Sequence, residues 1–209
     1  MTISIVDHQL PDPTHNSYDV KFDDHQILTL VTNTSAIVDS WISEIQRIHR
    51  RRLHRLIVGF DVEWRPNYRR DQDNPIAVLQ LCVGHRCLIF QLFHAPSIPQ
   101  SLVNFLANNN YSFVGVGIKK DVEKLYDDYQ LRVENVYDLR DLAVQSTGNQ
   151  ELRNAGLKKL ASAILGKDIQ KPRRVTMSPW DKQCLSLAQV QYACIDSFIS
   201  FEIGRICSG

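Results

Sequence analysis

Leu56-Ile57-Val58-Gly59-Phe60-Asp61-Val62-Glu63-Trp64 decides how the whole 209-residue chain is read. An uncharged, mostly apolar run from Leu56 to Phe60 ends in two carboxylates one residue apart. The run predicts a central strand buried on both faces. Side chains alternate along a strand, so Asp61 and Glu63 point to the same face. Like charges so placed repel, and desolvation raises the cost of ionising either. A divalent cation relieves both problems. The remaining chain is therefore read for further acids that converge on this strand end.

The length suffices for one sizeable domain with a full core. A hydrophobic fraction of 44% and a charged fraction of 22% are those of a soluble globular protein. No apolar stretch is long enough to cross a bilayer, so no membrane is expected as a partner. Residues 1–18 lack a basic segment followed by an apolar one and do not read as a secretory signal. The five cysteines, Cys82, Cys87, Cys184, Cys194 and Cys207, are odd in number and show no C-x-x-C pair. That argues against a disulfide framework or a zinc site and for a reducing compartment, with most cysteines as small core residues. A net charge of +1 is too small for general attraction to phosphate, so any grip on nucleic acid must be local.

Residues 1–17 show no clear period, carry Pro11 and Pro13, and read as a loosely ordered leader ahead of one domain over 18–209. Residues 18–22 and 27–32 predict a hairpin turning at Asp23-Asp24. Ser35 is placed to cap a helix with Ile37, Trp41, Ile45 and Ile48 on one face. That helix runs into His49-Arg50-Arg51-Arg52-Leu53-His54-Arg55, read as a solvated helix end in preference to an import signal or a phosphate patch. Residues 65–74 form a loop beside the carboxylates, where Arg65, Arg69 and Arg70 either touch phosphate or pair with Asp71 and Asp73. Residues 76–83 and 86–91 predict a second hairpin through Gly84-His85. Residues 99–108 read as a short helix started by proline.

Residues 112–116 read as a strand, followed by a tight turn and a helix with Asp121 in its first turn, where an acid suits the helix dipole. Residues 133–138 predict another strand, and 141–146 and 157–165 two helices, the second stopped by Gly166. Residues 167–180 read as an exposed loop. Ser186-x-x-Gln189 is a capping box opening the last helix. On that helix Tyr192 and Asp196 share a face at i and i+4. Apolar neighbours Val190, Ala193, Ile195 and Phe198 place Asp196 near the buried side, where an acid needs a partner. The order of elements predicts an α/β domain with a mixed sheet flanked by helices.

Each acid has an ordinary reading on its own: Asp121 a dipole acid, Asp196 a paired helix acid, Asp61 and Glu63 a strand end reaching solvent. Their combination in this order resembles the DEDD superfamily of 3′–5′ exonucleases, in its Tyr-containing, Werner-type branch. The first motif is Phe60-Asp61-Val62-Glu63-Trp64. The second is Val114-Gly115-x-Gly117-Ile118-x-x-Asp121-x-x-Lys124-Leu125, and the third Tyr192-Ala193-x-x-Asp196. Val78-Leu79-Gln80-Leu81, Gly156-Leu157, Leu165-Gly166, Ser178-x-Trp180 and Gln191 support them. All seven histidines lie at or before His94, so none is available to the sister branch that uses histidine in the last helix. Fold and chemistry follow as implications of the resemblance. The fold is ribonuclease H-like (DnaQ-like). Asp61, Glu63, Asp121 and Asp196 are metal ligands for two Mg²⁺ ions, with Mn²⁺ as a substitute, and Tyr192 is catalytic beside them.

Within the superfamily the chain looks most like the small plant RISC-interacting clearing 3′–5′ exoribonucleases. That likeness implies single-stranded RNA 3′ ends as substrate, Argonaute complexes as partners, a ring-shaped homohexamer, and the cytoplasm, with the nucleus as the alternative. Residues 65–74 depart from the typical family sequence, and the leader carries no family motif. Candidate phosphate contacts are Arg65, Lys119, Lys120, Lys124, Arg173 and Arg174, each of which equally suits plain surface solvation. Phe60, Trp64 and Trp180 could stack a terminal base; for Phe60 and Trp180 core packing is the favoured reading. The competing functions are a Werner-like DNA exonuclease and a catalytically silent nucleic-acid-binding scaffold. The intact set of acids disfavours the second.

Overall fold

The computed structural model describes residues 2–11, 14–69 and 71–208. Its centre is strand β4, Leu56–Trp64, whose first five residues are nearly all buried. Beside it lies β5, Ile76–Val83, buried at every position. β5 and the first five residues of β4 are the uncharged runs that only a strand covered on two faces tolerates. The other strands are β1 (Ile3–Asp7), β2 (His15–Phe22), β3 (His25–Thr32), β6 (Arg86–Phe90), β7 (Tyr111–Gly115) and β8 (Val136–Asp138). They join in one eight-stranded sheet of order β1-β2-β3-β6-β5-β4-β7-β8. Pairing is antiparallel from β1 to β3 and from β6 to β4, and parallel at β3–β6, β4–β7 and β7–β8. This is the mixed, helix-flanked α/β sheet expected from the sequence.

Helices cover both faces. One face carries α1 (Ser35–Ile48), α2 (Gln100–Leu106) and α3 (Ile118–Tyr129), with Val38, Trp41, Phe105 and Leu125 packed on Val58, Phe60, Val62 and Leu79. The other carries α4 (Leu139–Thr147), α5 (Leu157–Leu160, prolonged by a π turn over Ala161–Leu165) and α7 (Leu187–Cys207). Between them runs the short α6, Arg173–Thr176. Helix α7 is buried along most of its length, as expected of a helix that is apolar nearly all round.

The crossing of α7 over β4 is unusually close. A Cβ at Gly59 would meet the Ser197 carbonyl oxygen and lie 2.7 Å from the Phe201 nitrogen. Further along, a Cβ at Gly204 would lie 2.7 Å from a Val114 methyl. Two glycines thus let the helix backbone sit directly on the strand.

Several expectations need correction. Residues 1–17 are not a loose leader throughout: Ile3–Asp7 pairs residue for residue with Tyr18–Phe22 and extends the sheet. Its alternation is only half-buried, as at a sheet edge, so its apolar signal is weak. Pro13 lies outside the described residues. Ser35 is not the cap of α1. Thr34 holds that position without a side-chain bond, and the Ser35 hydroxyl instead donates to the Ser97 carbonyl at 2.7 Å. Residues 167–180 are not simply exposed, since Ile169, Val175 and Trp180 are core residues.

Gly59→Ala should cost more than about 3 kcal/mol, because neither backbone can retreat without breaking the sheet or the helix. Gly156→Ala meets nothing within 4 Å and should stay within about 0.5 kcal/mol. Urea unfolding of both variants measures the contrast; similar midpoints would contradict the close crossing.

Candidate active site

Strand β4 outruns its parallel neighbour. Pairing with β7 stops at Gly59–Val114, so Asp61 to Trp64 project past the end of β7. Ligands of open α/β sheets gather at such carboxyl ends. The register with β5 shifts between Glu63 and Trp64, a bulge of the kind that re-aims side chains beside active sites. Chain beyond β7 turns at Gly117, whose φ of 73° suits glycine. The Gly117 amide donates to Asp138 Oδ2 at 3.1 Å, and Arg140 holds the same carboxylate at 2.5 Å. Burial works against ionising Asp138, but Arg140 and the Gly117 amide keep it below its ordinary range. This turn starts α3 and brings Asp121 toward the strand end.

Helix α7 starts at Ser186 with the full reciprocal capping box to Gln189. Its Asp196 joins Asp61 and Glu63 in a cluster whose ligand oxygens all lie within 4.8 Å of one another. Asp196 is 2% exposed. Tyr192, one turn earlier, stands close enough to Asp196 to feel its charge and packs its ring 5.9 Å from that of buried Trp180. Asp121 stands outside the tight triad but close enough for its charge to act on Asp61 and Glu63. The five residues singled out from the sequence therefore converge from β4, α3 and α7.

Burial dominates their electrostatics. It pushes the Asp61 carboxyl up to about 8, helped by the charges of Asp196 and Asp121. Glu63 is raised well above the ordinary range, first by burial and then by Asp61 and Asp196. Burial and Asp138 raise Asp121 to about 7. Asp196 is raised by burial against the opposing pull of a lysine, Lys171. Tyr192 is raised by burial and by the neighbouring acids, so it stays a hydroxyl donor. A compact, oxygen-only donor set that resists ionisation in the bare protein fits a hard divalent cation. So does Gln80, directly across from Asp61 on β5, whose buried amide has no hydrogen-bond partner among the described residues and suits a hydrated ion's shell.

The expected phosphate contacts divide. Lys119 and Lys120 are exposed in the first turn of α3, and Arg173 and Arg174 are exposed on α6. Arg174 lines a cleft of about 180 Å³ together with Gln191, Tyr192 and Asp196. Arg65 is taken by Asp181, Nε to Oδ2 at 2.7 Å, and not by Asp71 or Asp73. Asp73 pairs with Lys124 at 2.9 Å, and Lys124 sits 5.7 Å over the Trp64 ring. Trp64 is half-buried under that contact. Phe60 and Trp180 are buried, so neither offers a stacking face. Arg70 lies outside the described residues. The Arg50–Arg55 run sits at the opposite end of β4 from the acids.

One site residue escaped the sequence reading. Lys171 places Nζ 2.6 Å from Asp196 Oδ2 and 5.2 Å from the centre of the Tyr192 ring. No periodicity marks it. The available signal is physical: a buried group of acids needs a cation nearby.

Comparison with known proteins agrees with this geometry. The model of the 3′–5′ exonuclease family matches residues 30–206. A "3′-5′ exonuclease" of Arabidopsis thaliana is 35% identical over 151 residues, covering 71% of this chain and 51% of that protein. The "bifunctional 3′-5′ exonuclease/ATP-dependent helicase WRN" of Mus musculus is 34% identical, covering 70% of this chain and 10% of that protein. The chain thus spans about half of the first relative and a small part of the second. Among solved structures, the EXD2 exonuclease domain soaked in Mn and dGMP superposes with a TM-score of 0.51 at 27% identity, covering 84% of this chain and 86% of that one.

The raised carboxyl values set a pH dependence. Between the ordinary carboxylate range near pH 4 and about 8, the folded protein holds more protons on Asp61 than the unfolded chain does. Stability therefore falls as pH rises through that window. In EDTA, the thermal midpoint should drop between about pH 5 and about pH 8, and Asp61→Asn should flatten the slope. A midpoint that climbs across this range would contradict the assignment.

Proposed function

This chain belongs to the 3′–5′ exonuclease family, and we propose that it hydrolyses single-stranded RNA from the 3′ end, releasing nucleoside 5′-monophosphates. The observation that carries the nuclease reading is the convergence of Asp61, Glu63 and Asp196, with Asp121 and Tyr192 beside them.

Phosphodiester hydrolysis needs a nucleophile at neutral pH and relief of charge on the leaving oxygen. Two hard divalent ions, Mg²⁺ or its substitute Mn²⁺, would supply both when bound. Asp61, Glu63 and Asp196 would hold the metal, with Asp121 beside them. Tyr192, kept protonated by burial and set beside Asp196, would aim the attacking water. The exposed Lys119, Lys120, Arg173 and Arg174 stand around the site as phosphate contacts. Arg65 serves by ordering the loop after β4, since its guanidinium is committed to Asp181.

The choice of RNA rests on the likeness to the small plant exoribonucleases. The same likeness supports clearance of RISC cleavage fragments, Argonaute complexes as partners, a homohexameric ring and a cytoplasmic post, with the nucleus as the alternative. A DNA exonuclease is the second reading. It is favoured by the solved EXD2 domain, which was soaked with dGMP as well as with GMP.

Matched single-stranded RNA and DNA with labelled 5′ ends separate the two. RNA trimming with Mg²⁺, lost in EDTA and reduced at least roughly a hundredfold by Asp61→Asn, is the expected result. Tyr192→Phe should slow turnover roughly tenfold to a hundredfold while leaving KM near its starting value. Equal or faster trimming of DNA would move the assignment to the second reading, and no trimming of either would remove the enzyme.

A further inference from the structure

Lys171 lies in a strap held at both ends. Upstream, Lys167 pairs with Asp23 at 2.6 Å and Ile169 is buried. Downstream, Val175 and Trp180 are buried. Between these anchors the Lys171 side chain remains 31% exposed while its ammonium reaches Asp196, whose side chain is 3% exposed. One end of the pair is fixed in the core, and the other is a flexible four-carbon stem with room to swing.

The contact conflicts with the donor set around it. Lys171 meets Oδ2 of Asp196 at 2.6 Å, and Asp196 shares a ligand cluster with Asp61 and Glu63. A divalent cation entering that cluster would face an ammonium at contact distance from one of its own ligands. An ammonium and a divalent ion drawn to the same buried carboxylate repel each other. The 2.6 Å contact leaves no room for both, so the ammonium on its flexible stem is the group that moves. An open cleft lined by Tyr192, Asp196 and both chain neighbours of Lys171 holds Arg174 already.

We propose that Lys171 is the exchangeable cation of this site. It neutralises Asp196 in the metal-free protein, is displaced by the incoming divalent ion, and then joins Arg174 in holding the substrate phosphate. The proposal rests on the reading of Asp61, Glu63 and Asp196 as metal ligands. It places Lys171 among the phosphate-positioning residues, a role that the bare geometry of the Lys171–Asp196 pair would otherwise hide.

Titration of EDTA-stripped, substrate-free protein with Mn²⁺ by calorimetry tests the exchange. Lys171→Met removes the competing charge and should tighten Mn²⁺ binding roughly tenfold. Lys171→Arg grips a carboxylate with a fixed fork and should weaken Mn²⁺ binding several-fold, so the two variants move in opposite directions. The arginine variant keeps the test open should the methionine variant fail to fold. With Mn²⁺ saturating, AMP should bind Lys171→Met roughly tenfold more weakly than wild type. Unchanged Mn²⁺ affinity in both variants would overturn the exchange and leave Lys171 a fixed partner of Asp196. Unchanged AMP affinity would overturn its phosphate role. Wild type that binds no Mn²⁺ would instead remove the metal-site reading itself, a failure distinct from either.

Discussion

Three carboxylates with oxygens within 4.8 Å, one of them almost wholly buried, are the constraint on which the rest of this molecule depends. Such a group opposes folding in two ways, by mutual repulsion and by lost hydration. Burial and mutual repulsion raise the Asp61 and Glu63 carboxyls above their ordinary range, and the ammonium of Lys171 sits at Asp196. A divalent ion held by the same carboxylates would relieve both costs.

The scaffold accepts this cost because the rest of it is well paired and well packed. The sheet is continuous over eight strands, and β5 is apolar at nearly every position, Gln80 being the exception beneath Asp61. The close crossing at Gly59 sets the height of α7 above β4, and with it the distance from Asp196 to Asp61. The turn at Gly117, held by Asp138 and Arg140, does the same for Asp121. Site geometry is thus delivered by backbone contacts that lie one layer away from the acids. Functional side chains placed on rigid strands and helices lose little entropy on binding.

Most of the architecture was legible from local chemistry. The uncharged runs at 56–60 and 76–83 were buried strands, and the Ser186–Gln189 capping box opened the last helix as read. The acids were legible because they break the pattern around them: two charges closing a buried strand, and one on the buried side of a helix. Strand β1 was not, since an edge strand half-open to solvent has no strong alternation to read. The pairing of Arg65 was not legible either. Its partner Asp181 is 116 residues away, while Asp71 and Asp73 offered themselves within the same loop.

By itself, the sequence singled out the residues that the fold brings together: Asp61, Glu63, Asp121, Tyr192 and Asp196, set on elements whose type follows from hydrophobic period and capping. It also determined the mixed α/β class, because strand and helix signals depend on neighbours a few residues apart. Only the tertiary structure decided which cations are free and which are spent. Lys119, Lys120, Arg173 and Arg174 face solvent, whereas Arg65, Lys124 and Lys171 are each held by an acid distant in the chain. The reason is physical. Secondary structure is written in short-range periodicity, but a salt bridge forms wherever folding brings opposite charges within about 4 Å, and sequence spacing carries no record of that approach.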